Sequence, residues 1–124
     1  MVVHGEPGMD EVSPLGQTRV LEVRNGQVRE WTIDPAPLGL SARDARELGG
    51  AEPQANARII EGVLAGGITG GARAAVVLNA AAAIHVSGDH DDFARAVDQA
   101  EDSLSSGAGY RALDRLRAAS PKKE

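Results

Sequence analysis

The apolar positions of this chain change from the alternation of strands to the spacing of helices at about residue 41. Before that point, residues 18–33 hold two runs rich in valine and threonine, joined by Asn25-Gly26. Asn-Gly supplies the two positive-φ residues of a type I′ turn, so the pattern predicts a β-hairpin. A two-residue loop also predicts the cross-strand pairs, which are Val23 with Val28, Glu22 with Arg29, and Val20 with Trp31.

A short apolar strand, Met1 to Val3, precedes the hairpin. An apolar strand at this position normally lies inside a larger parallel sheet with neighbours on both sides. After the hairpin, Pro35 and Pro37 end the ladder because neither residue has a backbone N–H to donate, and Gly39 ends the connection. We therefore expect only a strand and a hairpin in this part of the chain.

Helical spacing predicts five segments beyond residue 40, and their ends carry the usual capping and breaking residues. They are a short helix capped by Ser41 and ending at Leu48, a helix from Pro53 to Gly66-Gly67, an almost wholly apolar helix over about Ala72 to Val86, a helix capped by Asp91 or Asp92, and an amphipathic helix with Tyr110, Leu113 and Leu116. The fold class is α/β, with an incomplete sheet covered by about four to five helices. One domain over residues 1–120 and a frayed tail over residues 121–124 are expected.

Composition narrows the classes of partner. The net charge is −5 and the pI is near 5.2, which argues against nucleic acid and anionic lipid because both require a basic face. The chain has no cysteine, which suits a reducing compartment, and it opens without the basic and long apolar regions of a secretory signal. The longest apolar run, residues 74–86, is too short for a membrane span, so we expect a cytoplasmic protein.

An acidic loop follows the first strand and carries the clearest chemistry. Asp10 and Glu11 are adjacent carboxylates in a stretch that contains Gly5 and Gly8. Glycine permits tight loop conformations, and carboxylate oxygens are ligands that Mg²⁺ accepts together with water and substrate phosphates. An Asp-Glu pair by itself is more often solvated surface charge, so the surrounding sequence decides between the two interpretations.

The acidic loop and later segments resemble, in order and spacing, the carboxyl-terminal part of the anthranilate phosphoribosyltransferase family. The matching segments are Val2-Val3-His4-Gly5, Gly8-Met9-Asp10-Glu11-Val12-Ser13, residues 21–26, residues 35–40, residues 56–60, residues 64–66, Val77-Leu78-Asn79 with the alanines that follow, and Ser106-Gly107. The resemblance extends over nearly the whole chain but over only about the last third of a family member. It implies a fragment of the family's large α/β domain.

The resemblance implies a role for the acidic pair. In the family, two Mg²⁺ ions connect the enzyme to the pyrophosphate of phosphoribosyl pyrophosphate, and Asp10 would bind one ion while Glu11 would reach both. The implied reaction transfers phosphoribosyl to anthranilate, with release of pyrophosphate, in tryptophan biosynthesis. The complete enzyme would be a homodimer that associates mainly through a helical domain absent from this sequence.

The family's phosphate-binding loop, Gly-Thr-Gly-Gly-Asp, is absent from the chain. The stretch Gly67 to Gly71 is similar in composition, but it follows a predicted helix and lacks the acidic residue, so it is interpreted as a linker. We therefore expect the chain alone to be catalytically inactive. Two alternatives remain open: a non-catalytic module that docks on a partner through an uncovered strand, and the equivalent part of a related phosphoribosyltransferase with another acceptor.

Four further groups of polar or aromatic residues have structural interpretations. Residues 85–92 contain two histidines and three aspartates, but they lie around Gly88, where turn and cap residues are expected rather than metal ligands. His4 lies beside the acidic loop and has two interpretations, a contact to substrate or a structural role, of which the structural one is favoured. Asn79, in an apolar helix, is expected to hydrogen-bond to neighbouring backbone and not to a ligand. Trp31 and Phe93 are assigned to the core.

Overall fold

The computed structural model describes residues 1–120, so the tail predicted at residues 121–124 lies outside the described part. Three strands come first: β1 (Val2–Gly5), β2 (Thr18–Arg24) and β3 (Gln27–Ile33). A 3-10 helix (Ala45–Leu48) and four α-helices follow: α1 (Pro53–Leu64), α2 (Gly71–Ser87), α3 (Phe93–Ser105) and α4 (Ala108–Ala119). The predicted fold class, a strand and a hairpin covered by helices, is confirmed.

The three strands form one antiparallel sheet in the order β1-β2-β3. All three cross-strand pairs predicted for the hairpin are confirmed, and Asn25 and Gly26 have φ values of 53° and 75°. β1 pairs only with β2 among the described residues, so it lies at an edge of the sheet, in agreement with the predicted incomplete sheet. The larger parallel sheet that normally surrounds an apolar first strand is not found there, because the chain reverses after Gly5 and pairs Val3 with Val20 in antiparallel register.

The helical prediction needs one correction, at Ser41. The short helix is a 3-10 turn that begins only at Ala45, and its N-cap is Asp44, whose side chain accepts a hydrogen bond from the Arg46 N–H. Asp44 displaces Ser41 as the cap because Ala42 is tied to the Pro14 carbonyl by its own N–H, at 2.7 Å. The cap therefore forms three residues later than predicted.

The four α-helices otherwise agree with the prediction. Pro53 is the first residue of α1, and Asp92 caps α3 by accepting a hydrogen bond from the Ala94 N–H. Helix α2 is one residue longer at each end than predicted. No α-helix within residues 1–120 has the length and apolar character needed to cross a membrane.

Helix α2 lies at the centre of the core. It packs along α3 and against the inner face of the sheet, and its fully buried residues include Val77, Leu78 and Ala81. Burying each large aliphatic side chain is worth about 1.5–3 kcal/mol. Trp31 and Phe93, which were assigned to the core, are half-buried and pack against its edge.

A buried carboxylate joins the sheet to α2. Glu22 is 4% exposed and accepts hydrogen bonds from Arg29 Nη2 at 2.9 Å and Trp31 Nε1 at 3.0 Å. Arg24 Nε is 3.0 Å and His85 Nε2 is 3.4 Å from its other oxygen. Burial raises the pKa of Glu22, but the contacts from Arg29, His85 and Trp31 outweigh burial and lower the pKa to about 2. Glu22 is therefore ionised inside the protein.

The end of β1 is packed closely against the chain that follows the acidic pair. A Cβ atom on Gly5 would lie 2.6 Å from the Ser13 Cβ and 2.7 Å from the Glu11 carbonyl oxygen. A side chain at this position would overlap these atoms, and the overlap could be relieved only by moving the backbone of the loop. Glycine is required here for close approach, not for a positive φ.

Gly5→Ala is expected to destabilise the protein by about 1–3 kcal/mol, because the added methyl group overlaps the Glu11 and Ser13 atoms. Chemical denaturation gives the change in free energy of unfolding. Gly50→Ala is the matched control, because the nearest atom to a Cβ there, in the Asn56 amide, is at an ordinary 3.7 Å. Equal stability of the two variants would contradict the proposed close contact.

Glu22→Gln is expected to lower the free energy of unfolding at pH 7 by about 3 kcal/mol, because it removes the charge from a buried, paired site. The folded-state pKa is depressed to about 2 from 4.5, so the stability that the carboxylate contributes is present above pH 4.5 and is lost as the pH falls toward 2. Denaturation curves between pH 2 and pH 7 should show the wild type and the variant converging at low pH.

Glu30→Gln provides the control for the pH series. Glu30 pairs with Arg19 on the outer face of the same sheet, and both side chains are more than half exposed. Its removal should change stability little. A difference between wild type and Glu22→Gln that stays constant with pH would contradict the assignment of Glu22 as a buried carboxylate with a lowered pKa.

Candidate functional site

The acidic pair lies in the loop between β1 and β2, residues 6–17. Asp10 and Glu11 are both exposed. Within residues 1–120, neither side chain has a hydrogen-bond or ion-pair partner that would occupy its oxygens. Both of the carboxylates that the sequence singled out are therefore exposed to solvent on this loop, without protein partners among the described residues.

The loop is fixed on the side that precedes the acidic pair. Gly5 and Met9 exchange two backbone hydrogen bonds, from Gly5 N to Met9 O at 2.9 Å and from Met9 N to Gly5 O at 2.7 Å. The Glu6 N–H donates to the Gln17 carbonyl at 2.9 Å and closes the base of the loop. Met9, immediately before Asp10, is therefore tied to the end of β1.

The side that follows the acidic pair is fixed by buried residues. Val12 is fully buried, and its N–H and C=O both pair with the side-chain amide of Asn79 in α2, at 2.9 and 3.0 Å. The Ser13 N–H donates to Thr18 Oγ1 at 2.9 Å, and the Ser13 hydroxyl donates to the Glu6 carbonyl. Asp10 and Glu11 are the exposed residues between these two anchors, which favours a defined direction for both side chains.

Glu11 also lines an open groove of about 510 Å³ with Glu47 and apolar residues of the loop and of α1, including Met9, Ile59 and Ile60. Glu47 was not identified from the sequence. Its carboxylate accepts hydrogen bonds from the Arg43 N–H at 2.9 Å and from the Gly71 N–H at 2.6 Å. These backbone bonds lower the pKa of Glu47, and they leave Glu11 as the carboxylate in the groove without such partners among the described residues.

The contact between Glu47 and Gly71 explains the glycine stretch before α2. Gly67 to Gly71 connects α1 to α2, and the first N–H of α2 is already bonded to the Glu47 carboxylate. A protein carboxylate therefore occupies the end of the helix where an anion would otherwise bind. The interpretation of the stretch as a linker agrees with this arrangement.

The chemistry of the acidic pair fits part of a magnesium site. Two neighbouring carboxylates supply hard oxygen ligands, and Mg²⁺ commonly combines one or two of these with water and substrate phosphate oxygens. Within the described residues no group of three or more histidine, cysteine, aspartate or glutamate side chains is arranged to hold a metal. Asp10 and Glu11 alone thus supply at most two carboxylate ligands among the described residues.

The other polar residues considered earlier have different positions. His85 is not a turn residue: it lies within α2, is 1% exposed and faces Glu22, because its position on the helix points toward the sheet. Asp91 pairs with Arg24, and Asp92 caps α3. His4 is exposed on β1 opposite Arg19. Asn79 bonds to neighbouring backbone, as predicted.

Comparison with known sequences identifies the family. The family model described as the glycosyl transferase family, a/b domain, matches residues 1–110. Anthranilate phosphoribosyltransferase from Anaeromyxobacter sp. (strain K) is 50% identical over 118 residues, which are 95% of this chain and 34% of that protein. The enzyme of the same name from Haloarcula marismortui is 40% identical over 116 residues, 94% of this chain and 35% of that protein.

Comparison with solved structures points to the same enzymes as the sequence comparison does. Anthranilate phosphoribosyltransferase from Thermus thermophilus has a TM-score of 0.81 and 34% identity, over 94% of this chain and 34% of that one. The Saccharomyces cerevisiae enzyme, solved in complex with PRPP and Mg, has a TM-score of 0.79 and 29% identity, over 90% and 32% of the respective chains.

The chain spans about a third of the length of the curated relatives that it matches. Its sequence and its arrangement of strands and helices match theirs over more than nine-tenths of its own length. The chain therefore belongs to this glycosyl transferase family, and the relatives that it resembles in sequence and in fold are anthranilate phosphoribosyltransferases.

Proposed function

We propose that the chain contributes the magnesium-binding loop of an anthranilate phosphoribosyltransferase. The reaction joins the anthranilate amine to the anomeric carbon of phosphoribosyl pyrophosphate, breaks the bond from that carbon to the pyrophosphate oxygen, and releases pyrophosphate and a proton. Asp10 and Glu11 are the ligands in this proposal, with Asp10 on one ion and Glu11 reaching both. A homodimer of the complete enzyme is part of the same proposal.

The observation that carries the proposal is the exposure of two adjacent carboxylates on a loop anchored at both sides. Surface charge needs no such support, whereas a ligand site requires side chains held in a defined direction. The Met9 and Val12 anchors supply that support. The relative from Saccharomyces cerevisiae, solved with PRPP and Mg, supports magnesium and a phosphoribosyl donor as the ligands.

The loop's contribution to the reaction is electrostatic. Negative charge builds on the pyrophosphate as it leaves, and bound Mg²⁺ supplies positive charge that stabilises it. The carboxylates of Asp10 and Glu11 would hold the ions that supply this charge, and the backbone anchors would reduce the reorganisation needed during the reaction. No covalent intermediate with the protein is required, so the lack of cysteine is no obstacle.

The phosphate cradle must come from other residues. The glycine-rich motif of the family does not occur in this sequence, and the similar stretch before α2 has its first N–H bonded to Glu47. A site with two carboxylates and no phosphate loop binds magnesium weakly. The proposal therefore assigns the chain half of a site, whose other half belongs to a further polypeptide segment.

The sheet offers a surface where such a segment could join. β1 pairs only with β2 among the described residues, so one of its edges is left for another strand. Val2, Val23 and Val28 are about two-thirds exposed on the outer face of this sheet. The same edge is the observation that favours the second candidate function, a non-catalytic module that docks on a partner protein.

We expect the purified chain to produce no phosphoribosyl anthranilate with Mg²⁺, phosphoribosyl pyrophosphate and anthranilate, because the residues that would hold the phosphates are missing. Loss of anthranilate fluorescence over time measures the reaction. Turnover by the wild type that disappears in Asp10→Asn would contradict this expectation and show a complete site in the chain.

A chimaera tests the acidic pair directly. We expect this chain to support turnover when it replaces the matching third of the Anaeromyxobacter sp. (strain K) enzyme, because the two are 50% identical there. Asp10→Asn or Glu11→Gln in the chimaera should lower kcat/KM by about 100-fold or more, the scale of losing one preorganised electrostatic contact. Steady-state kinetics at varied Mg²⁺ gives the comparison.

Glu52→Gln is the matched control for the chimaera, because Glu52 is exposed and its side chain makes no capping hydrogen bond at the start of α1. It should retain the parent rate. An active chimaera in which the Asp10 and Glu11 variants behave like Glu52→Gln would refute the proposed function. An inactive chimaera together with stable co-purification of the chain and the separately expressed remainder would favour the docking module.

A further inference from the structure

We propose that Asn79 is a positioning residue for the acidic loop: its side-chain amide fixes the peptide group that joins Glu11 to Val12. The metal-binding part of this inference rests on the proposed function, whereas the fixing of the loop does not. Asn79 is 67 positions away from Val12 in the sequence, so the contact exists only because α2 packs beside the loop.

The amide of Asn79 is matched to the backbone of one residue. Asn79 Oδ1 accepts from the Val12 N–H at 2.9 Å, and Nδ2 donates to the Val12 carbonyl at 3.0 Å. The second Nδ2 hydrogen goes to the Ala75 carbonyl, one turn earlier in α2, at 2.9 Å. Both donor hydrogens are thus used, and the bond to Ala75 holds the side chain in the orientation that pairs with Val12.

The peptide between Glu11 and Val12 is hydrogen-bonded at one polar end and closely packed at the other. Its N–H belongs to Val12 and is bonded to Asn79, while its carbonyl belongs to Glu11 and lies against Gly5, where a Cβ atom would be only 2.7 Å away. A peptide group is planar, so the hydrogen bond at one end and the close packing at the other together limit the rotation of its plane. The Glu11 side chain leaves the backbone next to that plane, and its direction is constrained with it.

Helix α2 is a rigid support for this arrangement. Its first N–H is bonded to Glu47, and its buried residues Val77 and Leu78 directly precede Asn79 in the sequence. Val12 is fully buried, so loss of Asn79 would leave its N–H and C=O without these partners, at a cost of about 1–3 kcal/mol for each group that stays unpaired. The loop would then move to satisfy them.

Nuclear magnetic resonance of the ¹⁵N-labelled full chain tests the inference. Asn79→Ala should lower the order parameters of the Asp10 and Glu11 amides toward the flexible range and speed hydrogen exchange of the Val12 amide by about tenfold or more. Mn²⁺, used in place of Mg²⁺, should broaden the Asp10 and Glu11 signals. In the variant, half-maximal broadening should require about 10–100-fold more Mn²⁺, the usual effect of removing a residue that orients a ligand.

Asn56→Ala is the matched control. Asn56 makes the same kind of two-point pair, with the N–H and the carbonyl of Ala51, both at 2.8 Å, but it does not hold the acidic loop. Asn56 also lines the groove that Glu11 enters, so the comparison is made on the order parameters, which its removal should leave unchanged in the acidic loop. If Asn79→Ala does not fold, Asn79→Gln serves instead, since it keeps the amide but moves it by one methylene out of register with Val12.

Unchanged order parameters at Asp10 and Glu11, with unchanged exchange at Val12, would overturn the assignment of Asn79. An equal change in these order parameters in Asn56→Ala would also overturn the assignment of Asn79. Absence of broadening at Asp10 and Glu11 in the wild type would count against the metal site in the isolated chain, and the order parameters would still decide the role of Asn79. Failure of the positioning inference and failure of the proposed function are thus distinguishable.

Discussion

The packing of α2 against the sheet and α3 is the interaction on which the other contacts depend. Its apolar side chains form the centre of the core, and its polar exceptions each connect it to a different part of the chain. His85 faces Glu22 in the sheet, and Asn79 pairs with Val12 in the acidic loop. If α2 shifted, the loop and the inner face of the sheet would lose their partners together.

The polar contacts around α2 follow the same physical rule at three positions. Buried polar groups are usually paired, because leaving one unpaired costs more than forming the pair gains, and the ring nitrogens of His85 are an exception within the described residues. Glu22 is paired by arginines and Trp31, Val12 by Asn79, and the first N–H of α2 by Glu47. These contacts make the arrangement of sheet, loop and helix specific in a way that apolar packing alone does not.

The same rule separates the supporting residues from the residues offered to a ligand. Asn79 and Glu47 use their polar atoms inside the protein, and Asp10 and Glu11 do not use theirs among the described residues. A magnesium and phosphate ligand would meet carboxylates whose backbone is already ordered. That is the physical basis for the proposal that the acidic loop is half of a phosphoribosyltransferase site, in a chain about a third as long as its relatives.

The sequence by itself determined the elements whose signals are local. Asn25-Gly26 specified the hairpin and its register, Pro53 marked one helix start, and adjacent carboxylates marked the loop. The start of α3 was narrowed to Asp91 or Asp92, and the structure selected Asp92. Turn and cap preferences act within a few residues, so they can be recognised without knowledge of the fold. The cap at Asp44 in place of Ser41 is the exception, because a contact between Ala42 and the distant Pro14 carbonyl removed the expected start.

Only the tertiary structure decided how those elements meet: the choice of Val12 as the partner of Asn79, the bond from Gly71 to Glu47, and the burial of His85 against Glu22. The physical reason is that the packing of whole elements, and not the conformation of any one of them, brings these distant groups together.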